Sequence, residues 1–228
     1  MKAYVINLAD RTDRWESVLN QSQFIPYEIE RFEASNSSSF QGLDALLPAA
    51  VLACFDSHRK LLADFLKTDQ DYALVLEDDF MVNRFLQKEE FERLLALGFD
   101  FLQIGFLSTT IFQKISIVNK NVFDSFYKCG AKLIGLHLPP AAHRFLKSKT
   151  IFKEQVDIAW KIVLHDVRPG THAYLISRKL ASTIQTINSP TFLSADGLYI
   201  ALGPLRSFRM GRLRKNLVSQ SESPSSIL

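Results

Sequence analysis

The chain has 228 residues, 47% of them hydrophobic and 22% charged, a balance that supports a packed core and excludes an intrinsically disordered protein. A formal net charge of +3 is too small to point to nucleic acid, and two cysteines, Cys54 and Cys129, at no zinc-ligand spacing exclude a disulfide or zinc scaffold. The length suits one large domain, read as residues 1–218, with a flexible Ser-rich tail over 219–228.

The pattern predicts a strand over 3–8, then a helix over about 10–21 capped by Asp10 or Thr12. A second strand is expected over 27–33 and a polar loop over 35–41. Pro48 starts a helix whose apolar face carries Val51, Leu52, Phe55, Leu61, Leu62, Phe65 and Leu66. A buried strand over 73–76 follows, then an amphipathic helix over 85–97 and a strand over 100–105. Residues 107–153 mix short β-like runs with Pro139-Pro140 and read as an insertion facing an acceptor. A strand over 170–176 is entered by a Gly turn, and Ser177 caps a helix to about 185. Residues 191–202 return to the sheet or form a short helix around Asp196. Strands alternating with helices predict an α/β fold with a mostly parallel central sheet flanked by helices.

The most informative stretch is Tyr72-Ala73-Leu74-Val75-Leu76-Glu77-Asp78-Asp79-Phe80. An apolar strand runs straight into three carboxylates, at the C-terminal edge where open α/β sheets hold their ligands. Adjacent acids repel one another and resist desolvation, and a hard divalent ion is the simplest compensation. A solvated acidic turn is the bland alternative. The first strand ends at Asn7 and Arg11, so cations and carboxylates are expected to meet in one cleft, as a metal-bound nucleoside diphosphate requires.

Four segments then carry a likeness: Tyr4-Val5-Ile6-Asn7-Leu8 with Arg11, Asp13 and Arg14; Cys54-Phe55-Asp56-Ser57-His58-Arg59-Lys60; residues 73–80; and Gly170-Thr171-His172-Ala173-Tyr174-Leu175-Ile176-Ser177-Arg178. In this order the chain resembles glycosyltransferase family 25, the bacterial lipooligosaccharide β-galactosyltransferases and their collagen-modifying relatives. The likeness continues into Pro190 to Leu198 and Lys215 to Gln220. Two positions depart from the family pattern: Ala53 stands where Gly is frequent, and Asp56 where an apolar residue is frequent.

The resemblance implies a GT-A-like fold, a UDP-sugar donor (usually UDP-galactose), a lipooligosaccharide or lipopolysaccharide glycan acceptor, and Mn²⁺ or Mg²⁺. It makes Asp79 the first choice as metal ligand, with Asp78 and His172 beside it. Asn7, Arg11, Arg14, His58, Glu77 and Asp78 become donor-binding residues, and Asp196 the catalytic base for an inverting transfer. For each there is a structural counterpart: a solvated helix start with Asp13 paired to an arginine, a core histidine, a turn aspartate. A sugar-binding scaffold without turnover is the alternative of the same fold. A phosphoacceptor receiver is disfavoured, because Asp100 precedes its strand rather than following it. No run reaches the ~20 apolar residues of a spanning helix, and the N-terminus does not read as a signal peptide. The expected location is therefore cytoplasmic, with Arg206, Arg209, Arg212, Arg214 and Lys215 available for peripheral contact with an anionic inner membrane.

Overall fold

The computed structural model describes residues 1–42, 45–85, 87–107, 162–189 and 191–221. The chain divides into two compact units, Met1–Phe106 with Phe152–Leu228, and Leu107–Ile151. The architecture below belongs to the first. The expected insertion at 107–153, with its β-like runs and Cys129, lies outside the described residues apart from Leu107.

In chain order the elements are β1 (Lys2–Asn7), α1 (Thr12–Ser22), β2 (Ile29–Glu33), a 3-10 turn (Ser37–Phe40), α2 (Ala49–Phe65), β3 (Tyr72–Glu77), β4 (Phe80–Val82), α3 (Lys88–Ala96), β5 (Phe101–Gly105), β6 (Ile162–Leu164), β7 (Ala173–Ser177), α4 (Arg178–Ile184), α5 (Ala195–Leu202), a second 3-10 turn (Gly203–Leu205), β8 (Met210–Leu213) and β9 (Val218–Gln220). Seven strands form one sheet in the order β2-β1-β3-β7-β5-β8-β6, and β4 pairs with β9 separately. β1 runs parallel to β2 and β3, and β5 to β8, while β7 and β6 run antiparallel to their neighbours. Thus β2, β1, β3, β5 and β8 share a direction. The mostly parallel α/β sheet flanked by helices is the architecture expected and is consistent with a GT-A-like fold.

Side chains alternate across each strand, and both faces of the sheet are covered. Leu74 and Leu76 face a core with Val5, Val18, Phe91 and Leu102, under α1 and α3. Ala73 and Val75 face the other core with Phe55, Leu62, Tyr174, Leu180 and Tyr199, under α2, α4 and α5. This double burial is why β3 reads as a continuous apolar run. Gln103, fully buried in β5, is the polar exception: its amide donates to the carbonyls of Arg168 (2.7 Å) and Gly170 (2.6 Å) and accepts from Arg168 N (2.9 Å). It thereby fixes the loop that enters β7.

Several boundaries differ from the sequence reading. Neither Asp10 nor Thr12 caps α1; Arg11 occupies that position without a side-chain cap bond. The helix expected from 85 starts at Lys88, because residues 80–82 pair with β9 and Asn83 N bonds the Leu217 carbonyl (2.8 Å), which keeps the chain extended. Glu90 then accepts from Gln87 N (3.1 Å) and closes the first turn. Ser219 and Gln220, expected in a flexible tail over 219–228, belong to β9, and residues 222–228 lie outside the described residues. The cap at Ser177 is as read, its hydroxyl accepting from Leu180 N (3.2 Å).

Arg178, the last residue of the fourth segment, ties β7 to the end of α2. Its guanidinium donates to the carbonyls of Leu66 (2.8 Å), Gln70 (3.1 Å) and Thr68 and lies over the Phe65 ring. Cationic donors at a helix C-terminus satisfy carbonyls that the helix leaves open. Replacing Arg178 by Ala should cost about 2–3 kcal/mol in urea unfolding. Arg178→Lys should recover less than half, because three N–H bonds diverging from one nitrogen do not match carbonyls served from the three separate nitrogens of the guanidinium; full recovery would contradict the fork.

Candidate functional site

The parallel register of β1 and β3 sets Ile6 beside Glu77, so Asn7, the last residue of β1, stands level with Asp78, the first residue past β3. Asn7 Nδ2 donates to Asp78 Oδ2 at 2.7 Å and to the Arg11 carbonyl at 3.2 Å. Arg14 shares the inward face of α1 with Val18. Its Nη1 donates to Asp78 Oδ1 at 2.7 Å, with only 7% and 10% of the two side chains exposed. Both oxygens of the middle acid are therefore held, by an amide and a buried cation. Removing one partner of such a pair strands a charge and typically costs about 3–5 kcal/mol.

Glu77 ends β3 and receives its donors on one oxygen. Oε1 accepts from Thr171 Oγ1 (2.8 Å) and lies 3.3 Å from His58 Nε2. His58, buried in α2, has its other nitrogen 2.8 Å from the Tyr174 hydroxyl, and Tyr199 donates to that hydroxyl in turn (3.5 Å). Burial pushes the Glu77 carboxyl up, but the hydrogen bond and charge of His58 and the bond from Thr171 outweigh it and hold the group below its ordinary value.

Thr171 also lies 3.0 Å from Asp196 Oδ1, while Asp196 Oδ2 accepts from Gly170 N at 2.9 Å. One hydroxyl carries one proton and can donate to only one of the two carboxylates. Burial first, and the charge of Glu77 as well, raise the Asp196 carboxyl above its ordinary value, whereas Glu77 is held below its own. Asp196 follows the Ser194 cap of α5, whose hydroxyl accepts from Gly197 N (3.1 Å). Buried Asn188 folds the preceding loop back on itself through Phe192 and Leu193.

Asp79 has the least compensation of the three acids. Gln220 Nε2 donates to its Oδ2 at 3.1 Å, and its Oδ1 is buried without a hydrogen-bond partner among the described residues. Burial, followed by the charges of Glu77 and Asp78, pushes its carboxyl up to about 7, against a partial opposing effect of Arg14.

Several of these groups line an open cleft with an internal volume of about 140 Å³. It is lined by Arg14, His58, Glu77, Asp78, Asp79 and Gln220 together with Ile6, Leu8, residues 34–37, Ala50, Ala53, Cys54 and Ser57.

Of the residues singled out in the sequence, Arg14, His58, Glu77, Asp78 and Asp79 line this cleft, while Asn7 is off its wall and reaches it through Asp78. Arg11 does not: it forks onto its neighbour Asp13 (2.9 and 2.8 Å), holding that carboxyl down at about 2, and it is absent from the cleft wall. His172 is buried beneath Gly105, close to the Val218 carbonyl, and burial lowers its basicity; it too is off the wall. Asp196 lies behind Glu77, off the wall, with both oxygens engaged. Thr171, Tyr174 and Gln220 join the network without having been singled out, since uncharged polar residues in short strands carry no distinctive spacing.

The sequence pattern of glycosyltransferase family 25 (LPS biosynthesis protein) matches residues 1–199. The chain belongs to glycosyltransferase family 25. The family is one of glycosyltransferases of lipopolysaccharide biosynthesis, which implies a nucleotide-sugar donor and a glycan acceptor. No curated protein matches the chain. Among solved structures, one described as the crystal structure of A197 from STIV is similar at 13% identity and a TM-score of 0.41, over 96% of this chain and 83% of that one.

The two departures from the family 25 pattern have structural roles. Ala53 lines the cleft. Asp56 accepts from Ser35 Oγ (2.6 Å) and pairs with Lys60 (2.7 Å) and Arg59 (3.2 Å), while Ser57 Oγ accepts from Ser35 N (2.8 Å). The acid thus pins the cleft-lining loop that starts at Ser35 to α2.

A divalent cation fits one part of this site better than the others. Cys54, His58 and Glu77 offer atoms within 4.8 Å of one another. However, burial raises the Cys54 thiol far above its ordinary range, and both His58 nitrogens are engaged. Asp78 is neutralised internally. Asp79, whose Oδ1 has no hydrogen-bond partner among the described residues and whose carboxyl feels the charge of Glu77, offers the oxygen chemistry a hard ion takes.

The Asp79 environment has a measurable consequence. Between pH 4 and 7 the folded state keeps a proton that the unfolded chain, at about 3.8, has released, so this group makes stability fall as pH rises. In chelator-treated protein, Asp79→Asn should be more stable than wild type at pH 8 by on the order of 1–2 kcal/mol. The advantage should vanish below about pH 4, where the proton is bound in both states. Equal stability at pH 8 would contradict the uncompensated charge.

Proposed function

We propose that this family 25 protein transfers a hexose, galactose foremost, from a UDP-sugar to a lipooligosaccharide or lipopolysaccharide glycan, with Mn²⁺ or Mg²⁺ and with inversion. The observation that supports the metal-dependent reading is the Asp79 carboxylate: cleft-facing, repelled by two neighbouring acids, with one buried oxygen unpartnered. A divalent ion held by Asp79 and Glu77 would stabilise the negative charge that grows on the β-phosphate as the sugar–oxygen bond breaks.

The remaining roles follow from what each side chain touches. Asn7 and Arg14 keep Asp78 neutralised, which makes them supports of the acid cluster before they are donor contacts. Glu77 stays ionised through His58 and Thr171, and its Oε2 receives no hydrogen bond among the described residues, which suits a ligand or hydroxyl acceptor. Asp196 acts through Thr171 on Glu77 and not on the acceptor. Arg11 becomes a phosphate contact only if Asp13 releases it. Contact with an anionic membrane would rest on Arg206, Arg209, Arg214 and Lys215, all exposed. Arg212 drops out, since it grips Asp166 (3.0 and 2.7 Å) and lies over the Phe106 ring. Among the described residues no helix is long and apolar enough to cross a membrane.

The test is UDP release from UDP-galactose and other UDP-hexoses, with and without Mn²⁺, in the presence of truncated lipooligosaccharide. Asp79→Asn should remove metal-dependent release with the fold intact. Asp196→Asn should lower turnover by less than about tenfold, whereas loss of a true general base costs roughly 10²–10⁴-fold. Nucleotide binding without turnover on any acceptor would favour a sugar-binding scaffold.

A further inference from the structure

The C-terminal segment takes part in the acid cluster although it lies beyond the residues matched by the family pattern, 1–199. β9 runs antiparallel to β4, with Phe80 opposite Gln220 and Val82 opposite Val218. Further bonds extend the seam at both ends: Ser221 N donates to the Asp79 carbonyl at 2.7 Å, and Asn83 N to the Leu217 carbonyl at 2.8 Å. Ser219 Oγ donates to Asn83 Oδ1 at 2.9 Å. Leu217 N reaches the Ile104 carbonyl of β5 at 2.9 Å, anchoring the seam to the main sheet. The strand that leaves the acids is thus held from residue 79 to residue 83 by residues 217–221.

This register brings the Gln220 side chain onto the cleft wall, 3.1 Å from Asp79 Oδ2. Only the NH₂ end of a carboxamide can face a carboxylate, because its carbonyl would be repelled. One Asp79 oxygen is therefore held and the other, Oδ1, is left without a partner. We propose that Gln220 is a positioning residue for Asp79: its amide fixes Oδ2 so that Oδ1 is presented to a divalent cation. Donors of this kind orient ligating carboxylates and are commonly worth 10- to 100-fold in metal affinity or activity. The inference rests on the metal-dependent reading above and adds a residue to it that neither the acid motif nor the matched span contains.

The test is Mn²⁺ titration of the purified full chain, followed by the EPR signal of free Mn²⁺, with no sugar donor present. Gln220→Met keeps the bulk and removes the donor, and should weaken Mn²⁺ binding by roughly tenfold. Gln220→Asn, one methylene too short to reach, should behave alike and serves if the first variant folds poorly. Ser219→Ala loosens the same seam without touching Asp79 and should leave the affinity within about twofold of wild type. Wild-type affinity in both Gln220 variants would overturn the assignment while leaving the metal site standing. Equal weakening by Ser219→Ala would also overturn it, by tracing the effect to the strand instead of the amide. A wild-type chain that takes up no Mn²⁺ would overturn the metal-dependent reading and this inference together.

Discussion

The buried contact of Arg14 and Asn7 with Asp78 is the constraint on which the site depends. Three consecutive carboxylates at the end of a buried strand are prohibitive if all three stand uncompensated. The fold divides them. The middle acid is neutralised by α1 and the end of β1. The first is kept ionised by donors from α2 and the loop before β7. The third is left with an excess of negative charge facing the cleft. Because the compensating groups come from distant parts of the chain, folding and site assembly are one event: Asn7 and Asp78 meet only once β1 and β3 pair in register.

The same division separates support from chemistry. Asp196, Thr171, Gln103 and Asn188 form a scaffold behind Glu77, each holding backbone or a neighbouring side chain. His58, Tyr174 and Tyr199 make a buried hydrogen-bonded line on the other side, with Tyr174 and Tyr199 in the aromatic packing around Phe101. Rigidity at Glu77 thus draws on two elements of the same layer, α2 and α5, and on the loop before β7, as placing a reacting group within a fraction of an ångström requires. Asp79 by contrast leans on the short β4–β9 pair and on Gln220.

Much of this was legible in the sequence, for physical reasons. The β3 run stands out because both its faces are buried, and the acids mark its edge because charge cannot continue into the core. Ser177 announced α4 because its hydroxyl fills an open backbone donor. Other features had no signal. The direction of β7 is not encoded in an apolar run, so its antiparallel placement between β3 and β5 was invisible. β4, β6 and β9 have three residues each, too few for a period to show. Arg11 and Arg14 looked equivalent, yet Arg14 shares the inward side of α1 with Val18 whereas Arg11 precedes the helix and folds back onto Asp13. Asp196 looked like an open carboxylate in the sequence, and only the structure shows its two oxygens engaged by Thr171 and Gly170.

The account is tested most directly by anomalous diffraction from crystals soaked in Mn²⁺ and UDP. The prediction is one Mn²⁺ peak at coordination distance from Asp79 Oδ1 and bridging to the diphosphate, with the Arg14–Asp78 pair intact. A peak among Cys54, His58 and Glu77, or a cleft holding UDP with no ion near Asp79, would contradict it.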